Sequence, residues 1–355
     1  MYQSLEATLR QFCLLVLPGA KSSQIECTLH ISRFELGSLS YEALSYEWGN
    51  PNAPVNDIML NEQKFQIREN LYYAQLHLRS ETEARTLWVD AICINQNDIL
   101  ERNHQVGMMR HIYTGAAKVL VWIGCAPTEF KYYCDLSKQE CSSSYGLDID
   151  ADFDLGQLDS EEDDWEIWDE LWDGTTSIQC DPWEELAILM EQSYWTRIWI
   201  VQEYVLAAAI TVHCGSETVD GKALELALNH IVHSKPEGHS NFPVHLTEYI
   251  ERISHRVGSK IIERRRDSRR TLAELLDTTK SSRCHDPHDR IYGVLGVAAD
   301  IQGDSIPIDY KGSIFKMKMD VAWFFEQYSS ASRAYVSNIC SLLEEIFANY
   351  PDTES

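Results

Sequence analysis

The chain has 355 residues, 44% of them hydrophobic and 10% aromatic, enough to bury the core of one large domain or two ordinary ones. Its formal net charge of −25 offers no positive field, so nucleic acid and anionic membrane are not expected partners. The nearest approach to an apolar span, Val205 to Val212, falls far short of the roughly 20 residues that cross a bilayer.

In chain order, residues 1–40 are expected to form an N-terminal extension packed on the core. Glu6 and Arg10 interrupt any apolar leader there, so the expectation is an unsecreted, cytoplasmic chain. Tyr41-Glu-Ala-Leu-Ser-Tyr-Glu-Trp-Gly49 predicts a strand stopped by Gly49-Asn50-Pro51. Ile67, Leu71, Ala74 and Leu78 recur at helical spacing. Thr86 to Ile94 is apolar and rich in β-branched residues, which predicts a buried central strand. Asn95-Gln96-Asn97-Asp98 then breaks the run, and Asp98 stands three residues before Glu101, a cap for a helix through Val106, Met109 and Tyr113 that ends at Gly115. Lys118 to Gly124 predicts a second buried strand, and the alternation of strand and helix implies α/β architecture with a parallel sheet flanked by helices.

From about 126 to 181 the chain turns acidic. No Lys or Arg lies between Lys138 and Arg197, while Asp148, Asp150, Asp152, Asp154, Asp159 and Glu161 to Asp164 crowd together. A self-repelling run of this kind predicts an insertion or an exposed face. Calcium is the sharper alternative, but the alternating aspartates lack the central Gly and terminal Glu of an EF-hand loop. Pro182 to Ala209 predicts an aromatic helix broken near Ser193, and Ile210 to Cys214 a last core strand. Residues 216–355 read as mostly helical, with Arg264-Arg265-Arg266 and Arg269-Arg270 partly offsetting the acidic half. The ten cysteines are scattered, form no CxxC pair, and no N-x-[ST] acceptor occurs; structural thiols in a reducing compartment are the expected reading.

Three blocks resemble the fungal heterokaryon incompatibility (HET) domain: Tyr41 to Gly49; Leu87-Trp-Val-Asp-Ala-Ile-Cys-Ile-Asn-Gln96 with Glu101-Arg102; and Trp195-Thr-Arg-Ile-Trp-Ile-Val-Gln-Glu203. A fourth, Asp286-Pro-His-Asp-Arg-Ile-Tyr-Gly-Val-Leu-Gly296, resembles the segment that commonly follows it. The likeness runs from about 10 to 325, with the HET core over 41–215. Members often continue for several hundred residues, so the resemblance implies a short chain without a separate C-terminal effector module. HET domains are in turn remotely similar to Toll/interleukin-1 receptor (TIR) domains, which implies a TIR/flavodoxin-like sheet. Plant TIR domains carry a Trp-Cys-x-x-Glu helix whose Glu is essential for NAD cleavage. Trp199-Ile-Val-Gln-Glu203 keeps the Trp and the Glu, with Ile200 in place of the Cys.

What this implies is a nonself-recognition and cell-death module, leaning toward an NAD glycohydrolase with Glu203 as its catalytic carboxylate. NAD would be substrate, no cofactor or metal is implied, and self-association together with an unknown protein trigger would govern activity. The chemistry suits one carboxylate: nicotinamide leaves neutral, and the cationic sugar needs negative charge beside it. Ser45, Tyr46, Trp48, Gly49, Asp90, Asn95, Gln96 and Trp199 are the candidate substrate-binding residues, Asp90, Asn95 and Gln96 because open α/β sheets bind ligands at the carboxyl ends of strands. On one helical face Trp199 and Glu203 would project together, with Trp195 a turn earlier and Ile198, Val201 and Val205 on the buried side. The competing readings are a structural pair of Glu203 with Arg197, core tryptophans, and turn chemistry at Asn95 and Gln96. A non-enzymatic scaffold acting by homotypic association and an inactive regulatory form are the rival functions. Pro18 to Ser23 lacks a phosphate-loop pattern, and Cys284, His285 and His288 fit a turn better than a metal site.

Overall fold

The computed structural model describes residues 2, 5–6, 9–22, 24–34, 40–124, 182–233, 252–253, 257–263, 265, 269–303, 305–328 and 333–350. The acidic segment, with its calcium alternative, lies outside the described residues.

Nine strands form one mixed sheet: β1 (Gln11–Leu17), β2 (Glu26–Arg33), β3 (Glu42–Tyr46), β4 (Val55–Leu60), β5 (Gln63–Arg68), β6 (Arg85–Trp88), β7 (Lys118–Gly124), β8 (Ile210–Cys214) and β9 (Glu217–Asp220), in the order β5-β4-β2-β1-β6-β3-β7-β8-β9. Its heart, β6-β3-β7-β8, is parallel, as alternating strands and helices require. That α/β architecture agrees with the sequence-based expectation. Both flanks are elaborated by antiparallel strands that periodicity did not separate. On one side β1 pairs with β2 and with β6, so part of the 1–40 segment belongs to the sheet itself. On the other, β9 turns back on β8.

The β4–β5 hairpin closes through Asn61 and Glu62, both at positive φ (49° and 63°). This is the backbone twist a two-residue hairpin needs. The turn is further fixed by the Asn61 side chain, whose Oδ1 accepts from the Leu29 amide at 2.9 Å.

Helix α1 (Glu69–Leu78) buries Leu71, Ala74 and Leu78, the predicted stripe, although Ile67 belongs to β5. The expected strand from Thr86 to Ile94 is corrected: β6 ends at Trp88, and Asp90–Cys93 form a single helical turn, α2. Local β propensity lost there because the chain must leave the sheet to cap the next element. Asn95 donates its amide to Glu101 at 2.7 Å, and Asp98 caps α3 (Ile99–Gly115) by accepting from the Leu100 and Glu101 amides. The predicted aromatic helix is α4 (Pro182–Met190), a 3-10 turn (Ser193–Thr196) and α5 (Ile200–Val205), with the break at Ser193 where it was expected. The remainder is helical: α6 (Gly221–His233), α7 (Val257–Glu263), α8 (Leu272–Thr279), α9 (Asp289–Leu295), α10 (Ile314–Tyr328) and α11 (Arg333–Ile346).

The core lies on both faces of the parallel strands, with Trp88, Trp122, Trp195, Tyr113, Tyr194 and Tyr204 among its largest fully buried side chains. Among the described residues no helix is long and apolar enough to cross a membrane, and no group of three or more His, Cys, Asp or Glu could hold a metal ion.

Candidate functional site

The three sequence blocks meet at the carboxyl ends of β3 and β6. From the first, Ser45 on β3 donates its hydroxyl to Glu203 Oε2 and shares a 2.5 Å hydrogen bond with the Tyr194 hydroxyl. From the second, Asp90 follows β6 and accepts from the Trp48 indole at 2.7 Å and from the Ala91 amide at 2.7 Å. From the third, Glu203 projects from α5 and is only 2% exposed. A carboxylate so deep needs a partner. Arg197 supplies it as a fork, with Nη1 on Oε2 at 2.9 Å and Nη2 on Oε1 at 3.1 Å.

Arg197 reaches Glu203 because the chain between them is not a continuous helix. Arg197 is extended (φ −72°, ψ 140°) after the 3-10 turn, and it is pinned there across the molecule: Arg283 donates its amide to the Thr196 carbonyl at 2.6 Å, and Ile198 donates to the Arg283 carbonyl at 3.0 Å. The two-faced helix expected over Trp195 to Val205 is therefore corrected. Trp195 sits in the 3-10 turn, Trp199 is the N-cap of α5, and Ile200, Val201, Gln202, Glu203 and Tyr204 are all buried. Helical periodicity cannot mark one face when tertiary packing covers them all.

Burial and then the charge of Glu203 push Asp90 up to about 6, against the Trp48 hydrogen bond, Arg197 and the Ala91 amide. For Arg197, burial opposes the charge, but Glu203 and Tyr194 outweigh it and hold the guanidinium pKa above its ordinary value. Burial and the Asp90 charge keep Tyr46 protonated far above the usual phenol range.

The other sequence-predicted residues are placed as follows. Trp48 is half-buried, with the Arg68 guanidinium 5.4 Å from its ring centroid. Gly49 turns the chain at φ 75°, and its carbonyl accepts from Arg68 at 3.2 Å. Gln96 donates to the Asp90 backbone carbonyl at 3.0 Å, whereas Asn95 shapes its own turn by accepting from the Asn97 amide at 3.3 Å. Trp199 lies one turn before Glu203, whose amide donates to the Trp199 carbonyl at 3.1 Å. Sequence reasoning did not single out Tyr194, whose aromatic character alone carries no site signal. Arg197 had one: it is the first basic residue after Lys138.

The fourth block packs behind this site. Gln202 donates to the Tyr292 carbonyl at 2.7 Å, and α9 packs so closely on the segment leading into α5 that a Cβ on Gly293 would lie 2.9 Å from Ile198 Cγ1. Gly293→Val should cost about 1–3 kcal/mol by overpacking, read as a lowered Tm. An unchanged Tm would mean that α9 has slack the packing does not show.

The family model for "Heterokaryon incompatibility protein (HET)" matches residues 41–203, an interval that begins at the first block and ends at Glu203. Residues 41–203 are a HET domain. The chain is 27% identical over 315 residues to "Heterokaryon incompatibility protein 6, OR allele" of Neurospora crassa, an alignment covering 77% of this chain and 45% of the relative. The chain thus spans less than half the length of that curated relative. No solved structure matches the chain. Within the HET domain, the blocks that carry the resemblance are the segments that build the Ser45–Glu203–Arg197 and Trp48–Asp90 clusters.

Proposed function

We propose that this protein acts in the cytoplasm as a heterokaryon incompatibility factor, a nonself-recognition and cell-death module, and that its HET domain hydrolyses NAD at Glu203. The observation that carries the chemistry is the convergence of two carboxylates, Glu203 and Asp90, at the carboxyl end of a parallel sheet, where such sheets bind ligands. Glu203 would offset the positive charge that develops on the ribose as nicotinamide departs. Trp48, hydrogen-bonded to Asp90, would shield the sugar from bulk water, whereas the Trp199 side chain hydrogen-bonds to Asp289. Arg197 and Ser45 hold both oxygens of Glu203 and so fix its charge at the carboxyl end of the sheet; self-association prompted by a protein trigger is the proposed means by which the site is completed.

The test is nicotinamide release from NAD by the purified protein at high concentration, wild type against Glu203→Gln. The expected result is release that the variant loses. Absence of release, with assembly forced by tethering and cell death still produced, sinks the enzyme reading.

One observation favours a second reading, a non-enzymatic scaffold. A carboxylate 2% exposed and doubly bonded to a guanidinium is also how a structural ion pair is built. On that reading Glu203→Gln spares cell death, and surface changes that block assembly abolish it.

A further inference from the structure

We infer that Asp90 is the proton acceptor that activates the attacking water, while Glu203 serves as a fixed anion; this rests on the N-glycoside cleavage proposed above. The geometry separates the two roles. Glu203 is buried, and its oxygens are engaged by both arms of Arg197 and by Ser45. Protonating it would sever that fork and strand a buried guanidinium, which is costly. Asp90 is only partly buried. It opens α2, two residues beyond the end of β6, and accepts from the Trp48 indole on Oδ2, from the Ala91 amide on Oδ1 and from the Tyr46 hydroxyl. Three donors on the four lone-pair sites of a carboxylate leave one for a water or a proton.

The charged and titratable groups facing Asp90 are Glu203 and Arg197 from the third block, Tyr46 from β3, Tyr113 from α3 and Cys93 from its own turn. Burial and Glu203 together bring Asp90 to about 6, where a base can both take and release a proton near neutral pH. In the step itself the water oxygen bonds to ribose C1′ as the C1′–N bond breaks. The electron pair of that bond passes to the pyridinium nitrogen, so nicotinamide leaves uncharged. One water proton moves to the Asp90 carboxylate and is later released to solvent.

Two readouts test this. With NAD as probe, nicotinamide release by wild type should climb as pH rises through about 6 and then level off. Asp90→Asn should lower kcat by about 10²–10⁴-fold, with KM little changed and the limb gone. Independently, and without turnover, the Trp48 indole N–H resonance of wild type should titrate with the carboxylate it donates to, with a midpoint near the same pH; Trp48→Phe assigns the peak. Release that keeps its limb in Asp90→Asn overturns the proton-acceptor role alone, as does a Trp48 resonance that does not move between pH 4 and 8. No release by wild type at any pH, with assembly forced, overturns the enzyme reading and this inference with it.

Discussion

Arg197→Met is expected to cost about 3–5 kcal/mol of folding stability, the range for removing one member of a buried ion pair. The cause is what remains. Glu203, 2% exposed, would keep only the Ser45 hydroxyl, and the cation that lowers Asp90 would be gone, so two carboxylates would face each other without it. Methionine fills much of the arginine stem without supplying charge, which keeps the cavity contribution small. The measurement is the urea midpoint at pH 7. Combining Arg197→Met with Glu203→Leu should bring the midpoint back to within about 1 kcal/mol of wild type, because replacing both ions by apolar groups is often neutral. A single variant with the wild-type midpoint would mean that the pair is open in solution.

His288 should make stability depend on pH in a direction the structure fixes. Its Nδ1 lies 2.8 Å from Asp286 Oδ1 and its Nε2 lies 2.9 Å from the Gly312 carbonyl. Both partners are acceptors, an arrangement that only the protonated imidazole satisfies in full. Burial opposes that charge, but the Asp286 hydrogen bond and charge, the Gly312 carbonyl and Asp289 outweigh it and raise the pKa above 6.5. The stability His288 contributes is therefore complete below its unfolded value and lost as pH rises through the raised folded value. For Asp286 burial acts upward, but His288 and Arg102 outweigh it and lower the pKa. Its contribution is present above 3.8 and lost as pH falls through the depressed value. Arg102, 3.2 Å from Asp286 Oδ2 and stacked 3.5 Å over the Tyr310 ring centroid, joins α3 of the HET domain to this cluster. His288→Ala should thus cost about 1.5–3 kcal/mol at pH 6 and distinctly less at pH 9, by urea midpoints at each pH. An equal loss at both would show that the ring is neutral.

Much of the site was legible because its chemistry is confined to short blocks. Tyr41 to Gly49, Leu87 to Gln96 and Trp195 to Glu203 carry Ser45, Trp48, Asp90, Arg197 and Glu203, whereas Tyr194, hydrogen-bonded to Ser45, lies just outside the third block. What failed was the geometry between them. Trp195 and Trp199 were placed on one helical face with Glu203, yet a 3-10 turn and an extended Arg197 intervene. That conformation is held by Arg283, more than eighty residues away, through backbone hydrogen bonds that have no local signature.

The sequence by itself determined the parallel heart of the fold. Lys118 to Gly124 and Ile210 to Cys214 are strands as predicted, and Asp98 caps its helix, since continuous apolar runs and capping chemistry are local properties. Only the tertiary structure decided that β1 enters the sheet beside β6, that the chain leaves β6 at Trp88, and that Glu203 is paired rather than free. Each of those outcomes depends on which distant segment satisfies a buried backbone group or charge. That choice is made when the chain closes on itself.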